Sequence, residues 1–95
     1  MFVAIVRFPP ISPEKDTEFR KWFSWSNQLL KNSPGFISRK LIRGVDGSYV
    51  AIVEYSGYDM FTAMHSSNDH KLVHEKALSV FNGSPKPEFF DVVST

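Results

Sequence analysis

Three histidines lie within ten residues of this chain, His65, His70 and His74, and there is no other histidine and no cysteine. Histidine is the side chain that titrates near neutral pH without being perturbed. Any proton transfer near neutral pH is therefore expected in this stretch. His74 is the first candidate for a catalytic group, because as a general base it could take a proton from a phenol or an enol. The alternative is a histidine packed at a helix edge and hydrogen-bonded to the backbone.

His70 and His74 are four residues apart and are expected to share one face of a helix. This spacing can hold a metal ion. However, the sequence has no His-Glu-x-x-His pattern here, and no third ligand is evident, so we predict no metal site. We expect His70 to contact a substrate instead, and His65 to face solvent.

A second group of side chains is predicted to shape a binding pocket, namely Trp25, Tyr55, Phe61 and Met64. Phe61 and Met64 are at helical spacing and could equally be core, and Trp25 could lie flat on the surface. Arg39 or Arg7, if it points inward, would anchor an anion such as a carboxylate or a phenolate. The alternative for either arginine is an edge-strand charge that discourages aggregation. Strand register decides between these two, and the sequence does not fix register to one residue.

The elements that must position these residues are marked by apolar periodicity and by turn residues. Ser12-Pro13 predicts the start of the first helix, Pro34-Gly35 a turn after it, and Asp46-Gly47 a hairpin. The predicted strands are Phe2–Phe8, Phe36–Arg43, Ser48–Tyr55 and Phe89–Val93. The predicted helices run from Ser12 to about Ser33, over Tyr58–His65 and over Asp69–Phe81.

The order β-α-β-β-α-β predicts a ferredoxin-like α+β fold, in which helices cover one face of an antiparallel sheet. The strands, however, carry apolar side chains on both faces, for example Val3 and Ile5 opposite Phe2 and Ala4. An uncovered apolar sheet face is rarely tolerated by a monomer. We therefore predict a homodimer in which two sheets meet face to face. The alternative is a monomer whose edges and long side chains hide the patch.

The 95 residues predict a single domain, residues 1–95. The net charge of +1 gives no electrostatic support for a nucleic-acid or membrane partner. The apolar segment Met1–Arg7 is too short for a signal peptide or a membrane span. With no cysteine for disulfides, the chain is expected to be cytoplasmic.

Several short motifs together resemble one known family. They are Pro34-Gly35-Phe36 at the second strand, the Asp46-Gly47 hairpin, Glu54-Tyr55-Ser56 at the end of the third strand, and the run Phe61–Ser67 followed by His70 and His74. In these features the chain resembles the antibiotic biosynthesis monooxygenases, which are dimeric α+β barrels. The resemblance covers nearly the whole chain and implies the same fold and a homodimer.

The resemblance also implies a range of activities. Some members of the family oxidise aromatic molecules with oxygen and no cofactor, and others bind and degrade haem. In the haem-degrading branch an Asn, a Trp and a His matter. His74 matches that histidine, Met64 stands at the position of the Trp, and the first strand has no Asn. The implied function is a cofactor-independent monooxygenase acting on a small aromatic or enolisable molecule. The alternatives are a non-catalytic module that binds haem or another hydrophobic ligand, and a protein whose dimer surface is its function.

Overall fold

The computed structural model describes residues 1–95 and has the predicted α+β order of elements. A short 3-10 turn, Pro13–Lys15, precedes the first helix. The strands are β1 (Phe2–Arg7), β2 (Phe36–Arg43), β3 (Tyr49–Tyr55) and β4 (Lys86–Asp91). The helices are α1 (Asp16–Leu30), α2 (Tyr58–His65) and α3 (Asn68–Ala77).

Helix α1 is amphipathic and buries one stripe against the sheet. The Ser12 side chain makes no capping hydrogen bond; its carbonyl accepts from the Lys15 N–H over 2.9 Å in the 3-10 turn, and α1 begins at Asp16. Asp16 and Glu18 place negative charge at the positive end of the helix dipole. The buried stripe recurs at helical spacing and consists of Phe19, Trp22, Phe23, Ser26 and Leu30.

The four strands form one antiparallel sheet in the order β2-β3-β1-β4. The core lies between this sheet and the helices, where Ala4 and Ala51 are almost fully buried. Ala4 pairs with Val53 of β3 on one side and with Phe89 of β4 on the other. The small side chains at the centre of the sheet leave space beneath the helices, and this space becomes the cavity described in the next subsection.

A β-bulge in β2 sets the orientation of Arg39. Phe36 pairs with Tyr55, but Ser38 pairs with Glu54, so the register shifts by one residue between Phe36 and Ser38. In a regular strand, residues three apart lie on opposite faces. The bulge lets Phe36, whose ring packs 5.6 Å from that of Tyr55, and Arg39, which pairs with Val53, both lie on the helix side.

The other face of the sheet has no helix over it. Its apolar residues alternate with the core residues along each strand and are Val3, Ile5, Ile42, Val50, Ile52 and Phe90. We call this set the back face. Ile42 and Phe90 are 45% and 46% exposed. The prediction that the strands are apolar on both faces is therefore confirmed in part, because the back face also carries Arg7, Lys40, Glu54 and Glu88.

Three predicted elements have wrong boundaries. The first helix is Asp16–Leu30 and does not run from Ser12 to about Ser33. Helix α3 ends at Ala77 and not at Phe81, because the chain tightens there into turns, in which the Val80 N–H donates to the Ala77 carbonyl over 2.9 Å. The last strand is Lys86–Asp91 and not Phe89–Val93. Pro87 is accommodated because β4 lies at the edge of the sheet, where one side of the strand needs no donor. None of the helices combines the length and the apolar character needed to cross a bilayer.

Candidate functional site

A cavity of about 340 Å³ lies between the sheet and the helices. This is near the small end of the range of ligand pockets. Its wall is mostly apolar and contains no Asp or Glu. The apolar residues from the sheet and helices include Val6, Trp22, Leu30, Ala51, Val53, Phe61, Met64, Val73 and Ala77. The segment after α3 closes one side with Leu78, Phe81 and Pro85, and β4 contributes Pro87.

All three histidines line this cavity. His65 ends α2, whereas His70 and His74 belong to α3. Ser67 joins the two helices, because its hydroxyl accepts a hydrogen bond from the His70 backbone N–H (3.2 Å) and donates one to the Met64 carbonyl (2.6 Å). This N-cap fixes the angle between the helices. As a result, the His65 and His70 rings lie 4.0 Å apart between their centroids.

The surroundings of His65 and His70 favour the uncharged form of these two rings. Burial, together with the nearby His65, Arg39 and His74, lowers the pKa of His70 from its usual 6.5 to about 4. Burial also lowers the pKa of His65, with a smaller contribution from His74. None of the three rings makes a hydrogen bond within the protein. Since no buried side-chain nitrogen or oxygen is left without a partner, the ring nitrogens are not buried and reach cavity or solvent. The alternative of a His74 ring bonded to the backbone is therefore not what the structure shows.

Helix α3 is fixed to α1 by Trp22. The buried Trp22 indole Nε1–H donates to the Val73 carbonyl over 3.0 Å. Val73 precedes His74, so this bond sets the position of the part of α3 that carries the candidate base. His74 itself is on an exposed stretch of the helix, at the mouth of the cavity.

Arg39 is the only formally charged side chain in the cavity wall. Its Nη1 donates to the hydroxyl of buried Ser26 and to Asn27 Oδ1, the latter over 2.7 Å. The guanidinium also lies over the Phe23 ring, 4.1 Å from its centroid. Burial lowers the pKa of Arg39 to about 10, slightly opposed by the Tyr55 phenol. At neutral pH the cavity therefore contains a positive charge.

Arg7, the other arginine considered from the sequence, is on the opposite side of the sheet. It pairs with Val50 of β3, and its Nε lies 3.1 Å from a Glu88 carboxylate oxygen. Its side chain is 63% exposed. Arg7 is therefore not a binding anchor, and because β1 is an inner strand it is not an edge-strand charge either.

Two of the predicted pocket residues lie elsewhere. Tyr55 is fully buried beneath the cavity, with its hydroxyl 2.7 Å from that of Ser33, and its ring packs edge-on against Phe61. Tyr55 therefore supports Phe61, which lines the cavity, but does not line the cavity itself. Trp25 lies in a separate surface groove, where the Lys76 ammonium is 5.9 Å from its ring centroid. Neither Tyr55 nor Trp25 reaches the cavity wall.

The sequence interpretation did not find every residue of the site. His65 is exposed, as expected, but its ring also packs against that of His70, because the break at Ser67 folds α2 and α3 against each other. Ser26 and Asn27 were not singled out, although they hold Arg39. The sequence does indicate Ser26, since a serine within an otherwise apolar helix stripe is buried and needs a hydrogen-bond partner.

The sequence matches no family model and no curated protein. Solved structures do share its fold. A mutant of SnoaB, a cofactor-independent oxygenase from Streptomyces nogalater, is 21% identical and has a TM-score of 0.83 over 99% of this chain and 94% of that one. A proposed antibiotic biosynthesis monooxygenase from Caulobacter crescentus is 24% identical, with a TM-score of 0.83 over 98% of this chain and 91% of that one.

A third solved structure shows how far this fold tolerates sequence change. A proposed antibiotic biosynthesis monooxygenase from Deinococcus radiodurans has a TM-score of 0.86 over all of this chain and 95% of that one, at 8% identity. These likenesses confirm the predicted resemblance in fold. The chain has the α+β fold of structures named as antibiotic biosynthesis monooxygenases.

The low pKa of His70 can be measured directly. In an NMR titration we expect the His70 ring to remain uncharged at pH 5, since its pKa is about 4. The His65→Gln variant, which removes a neighbouring charge, should raise the His70 midpoint. A His70 midpoint at or above 6.5 would contradict the described environment.

The lowered pKa of His70 also predicts how the stability of the protein depends on pH. His70 is uncharged in both the folded and the unfolded chain above about pH 6.5, so it has no effect there. As the pH falls from 6.5 towards 4, the unfolded chain binds the proton first, and the free energy of unfolding should fall. Chemical denaturation over this pH range should show a smaller fall in the free energy of unfolding for the His70→Asn variant than for the original protein.

Proposed function

We propose that this chain is a cofactor-independent monooxygenase that acts on a small aromatic or enolisable molecule. The observation that carries the proposal is the His74 imidazole, which borders an apolar cavity and has no hydrogen-bond partner in the protein. A general base needs a free ring nitrogen beside a site for the substrate. The fold shared with SnoaB, named a cofactor-independent oxygenase, supports the same reaction class. The proposal includes one domain over residues 1–95 and a cytoplasmic location.

In this proposal His74 takes a proton from the substrate phenol or enol. The resulting anion is electron-rich enough to pass an electron to oxygen. For a substrate with a CH₂ group, one oxygen atom forms the new carbonyl, and the other leaves as water with the two hydrogens. All four electrons come from the substrate, so the reaction balances without a cofactor.

The other cavity residues have supporting parts in the proposal. Phe61 and Met64 pack beside the aromatic rings of the substrate and exclude water. His70 stays uncharged near neutral pH, so it can donate or accept a hydrogen bond without adding charge. The positive charge of Arg39 favours an anion in the cavity. Trp25 and Tyr55 have no direct part.

We also propose that two copies form a homodimer through their back faces. The support is the row of apolar side chains that no helix covers, including Ile42 and Phe90, each nearly half exposed. A second copy presents the same surface, and two such sheets pack with interdigitating side chains. The partner that fits this surface is a second copy, because the apolar and charged residues of the back face can meet their own counterparts in an isologous interface.

Haem binding is the second candidate function, because three imidazoles border the cavity and any of them could ligate iron. The cavity fits haem less well than it fits a small aromatic molecule. Haem carries two propionates, whereas the wall has a single arginine and no lysine. The first strand also lacks the Asn of the haem-degrading branch.

The monooxygenase proposal is tested by oxygen uptake with a panel of hydroquinones and anthrones. We expect uptake with at least one of them, and the His74→Gln variant should be slower by about 10²–10⁴-fold, the usual contribution of a general base. Glu75→Gln is the matched control, since Glu75 is the next residue of α3 and does not line the cavity. Equal rates for His74→Gln and the original protein would refute the role of His74.

The dimer is tested by sedimentation at several concentrations. We expect the original protein to sediment at twice the mass of one chain. Ile52→Lys and Ile5→Lys place charges in the middle of the back face and should each give single chains. Leu72→Lys is the control, because Leu72 is a partly exposed apolar residue on α3, away from the sheet. If the original protein sediments as a single chain at every concentration, the dimer is ruled out.

Haem binding is tested by absorption spectroscopy after haem is added to the purified protein. If the site prefers small aromatic molecules, no Soret band should form at micromolar haem. A Soret band that is lost in His74→Ala would support the second candidate instead. His65→Ala and His70→Ala then show whether another imidazole ligates the iron.

A further inference from the structure

The charge of the cavity is not balanced by the protein. Arg39 is positive, the wall has no Asp or Glu, and none of the four ion pairs of the chain includes Arg39. A charge removed from water is costly unless it is paired and hydrogen-bonded. Removing the charge by mutation to an apolar residue would avoid this cost, so its presence indicates a partner that arrives from outside.

The hydrogen bonds of Arg39 leave one side of its guanidinium free. A guanidinium has five N–H donors in a fixed plane. Both bonds within the protein, to Ser26 and Asn27, are made by Nη1. Nε and Nη2 make no hydrogen bond, and since no buried nitrogen is left unpaired, they reach cavity or solvent. The Nε–Nη2 edge can donate two parallel bonds to one group.

Arg39 is held in place before any ligand binds. The Asn27 amide nitrogen donates to the Arg39 carbonyl over 3.1 Å, while its Oδ1 accepts from Nη1 over 2.7 Å. The Phe23 ring supports the flat face of the guanidinium at 4.1 Å. An anchor with so little freedom loses little entropy on binding, which increases affinity.

We propose that the ligand of this cavity is an aromatic carboxylate whose carboxylate binds the free Nε–Nη2 edge of Arg39. Its apolar body then packs along Val53 and Phe61. The assignment rests on the proposed function in one respect, namely that the reacting group of the ligand lies at the His74 end and is distinct from the carboxylate. The carboxylate is thus a handle that orients the substrate, while the chemistry occurs elsewhere on its ring system.

The geometry favours a carboxylate over other anions. A carboxylate has two oxygens that match two parallel N–H donors. A phenolate has one oxygen and cannot accept both bonds in this way. A phosphate dianion needs more positive charge than one arginine supplies, and the wall contains no lysine.

The test compares 2-naphthoate with 2-naphthamide, which has the same shape and no charge, by isothermal titration calorimetry. We expect the carboxylate to bind about 10- to 100-fold more tightly, the usual value of a charge-assisted pair of bonds. Arg39→Met should abolish this preference, and Arg39→Lys should keep only part of it. Arg43→Met is the matched control, since Arg43 is on the same strand but contacts Tyr49 and Asp16 outside the cavity.

Each outcome bears on the proposal. Equal binding of the acid and the amide to the original protein overturns it, and so does a lack of binding by every aromatic carboxylate of a one- to three-ring panel. A preference that survives Arg39→Met also overturns it, provided that circular dichroism shows the variant folded. If Arg39→Met does not fold, Arg39→Lys decides, because loss of the paired geometry must weaken carboxylate binding.

Failure of this inference is distinguishable from failure of the proposed function. A carboxylate preference without oxygen uptake would refute the monooxygenase and leave the ligand class in place. Oxygen uptake that is equally fast with neutral and carboxylate substrates would refute the ligand class alone.

Discussion

The β-bulge between Phe36 and Ser38 is the constraint on which the candidate site depends. It places a guanidinium on the helix side of the sheet, at a position where a regular strand would turn the side chain outwards. Once Arg39 is under the helices, α1 must supply polar partners from its buried face. Ser26 and Asn27 do so, and the remaining donors are left for a ligand.

A few side-chain hydrogen bonds also position the histidines. One hydroxyl, that of Ser67, caps α3 and ties it to the end of α2, and one indole, that of Trp22, fixes α3 to α1. These bonds bring three imidazoles to an apolar wall, where burial disfavours the charged form of His65 and His70. The cavity thus combines imidazole rings with one fixed positive charge. This combination suits a substrate that enters as an anion and loses a further proton.

The two faces of the sheet carry side chains of different size. Its helix side carries small residues such as Ala4 and Ala51, which leave room for the cavity. Its back face carries branched residues such as Ile5 and Ile52, which suit packing against another sheet. The back face also has an ion pair, in which Arg7 of the inner strand β1 contacts Glu88 of the edge strand β4. A second copy on the back face would stiffen the strands that hold Arg39 without obstructing the cavity.

The sequence was enough to predict the order of elements, the apolar residues on both sheet faces and the position of the histidines in a helical region, since periodicity and turn residues are local signals. His65 stacking on His70, the exclusion of Trp25 and Tyr55 from the cavity, and the end of α3 at Ala77 did not follow. Above all, the sequence left the direction of Arg39 open. A strand side chain changes face with a shift of one residue, and only packing against β3 and α1 decides whether the bulge forms.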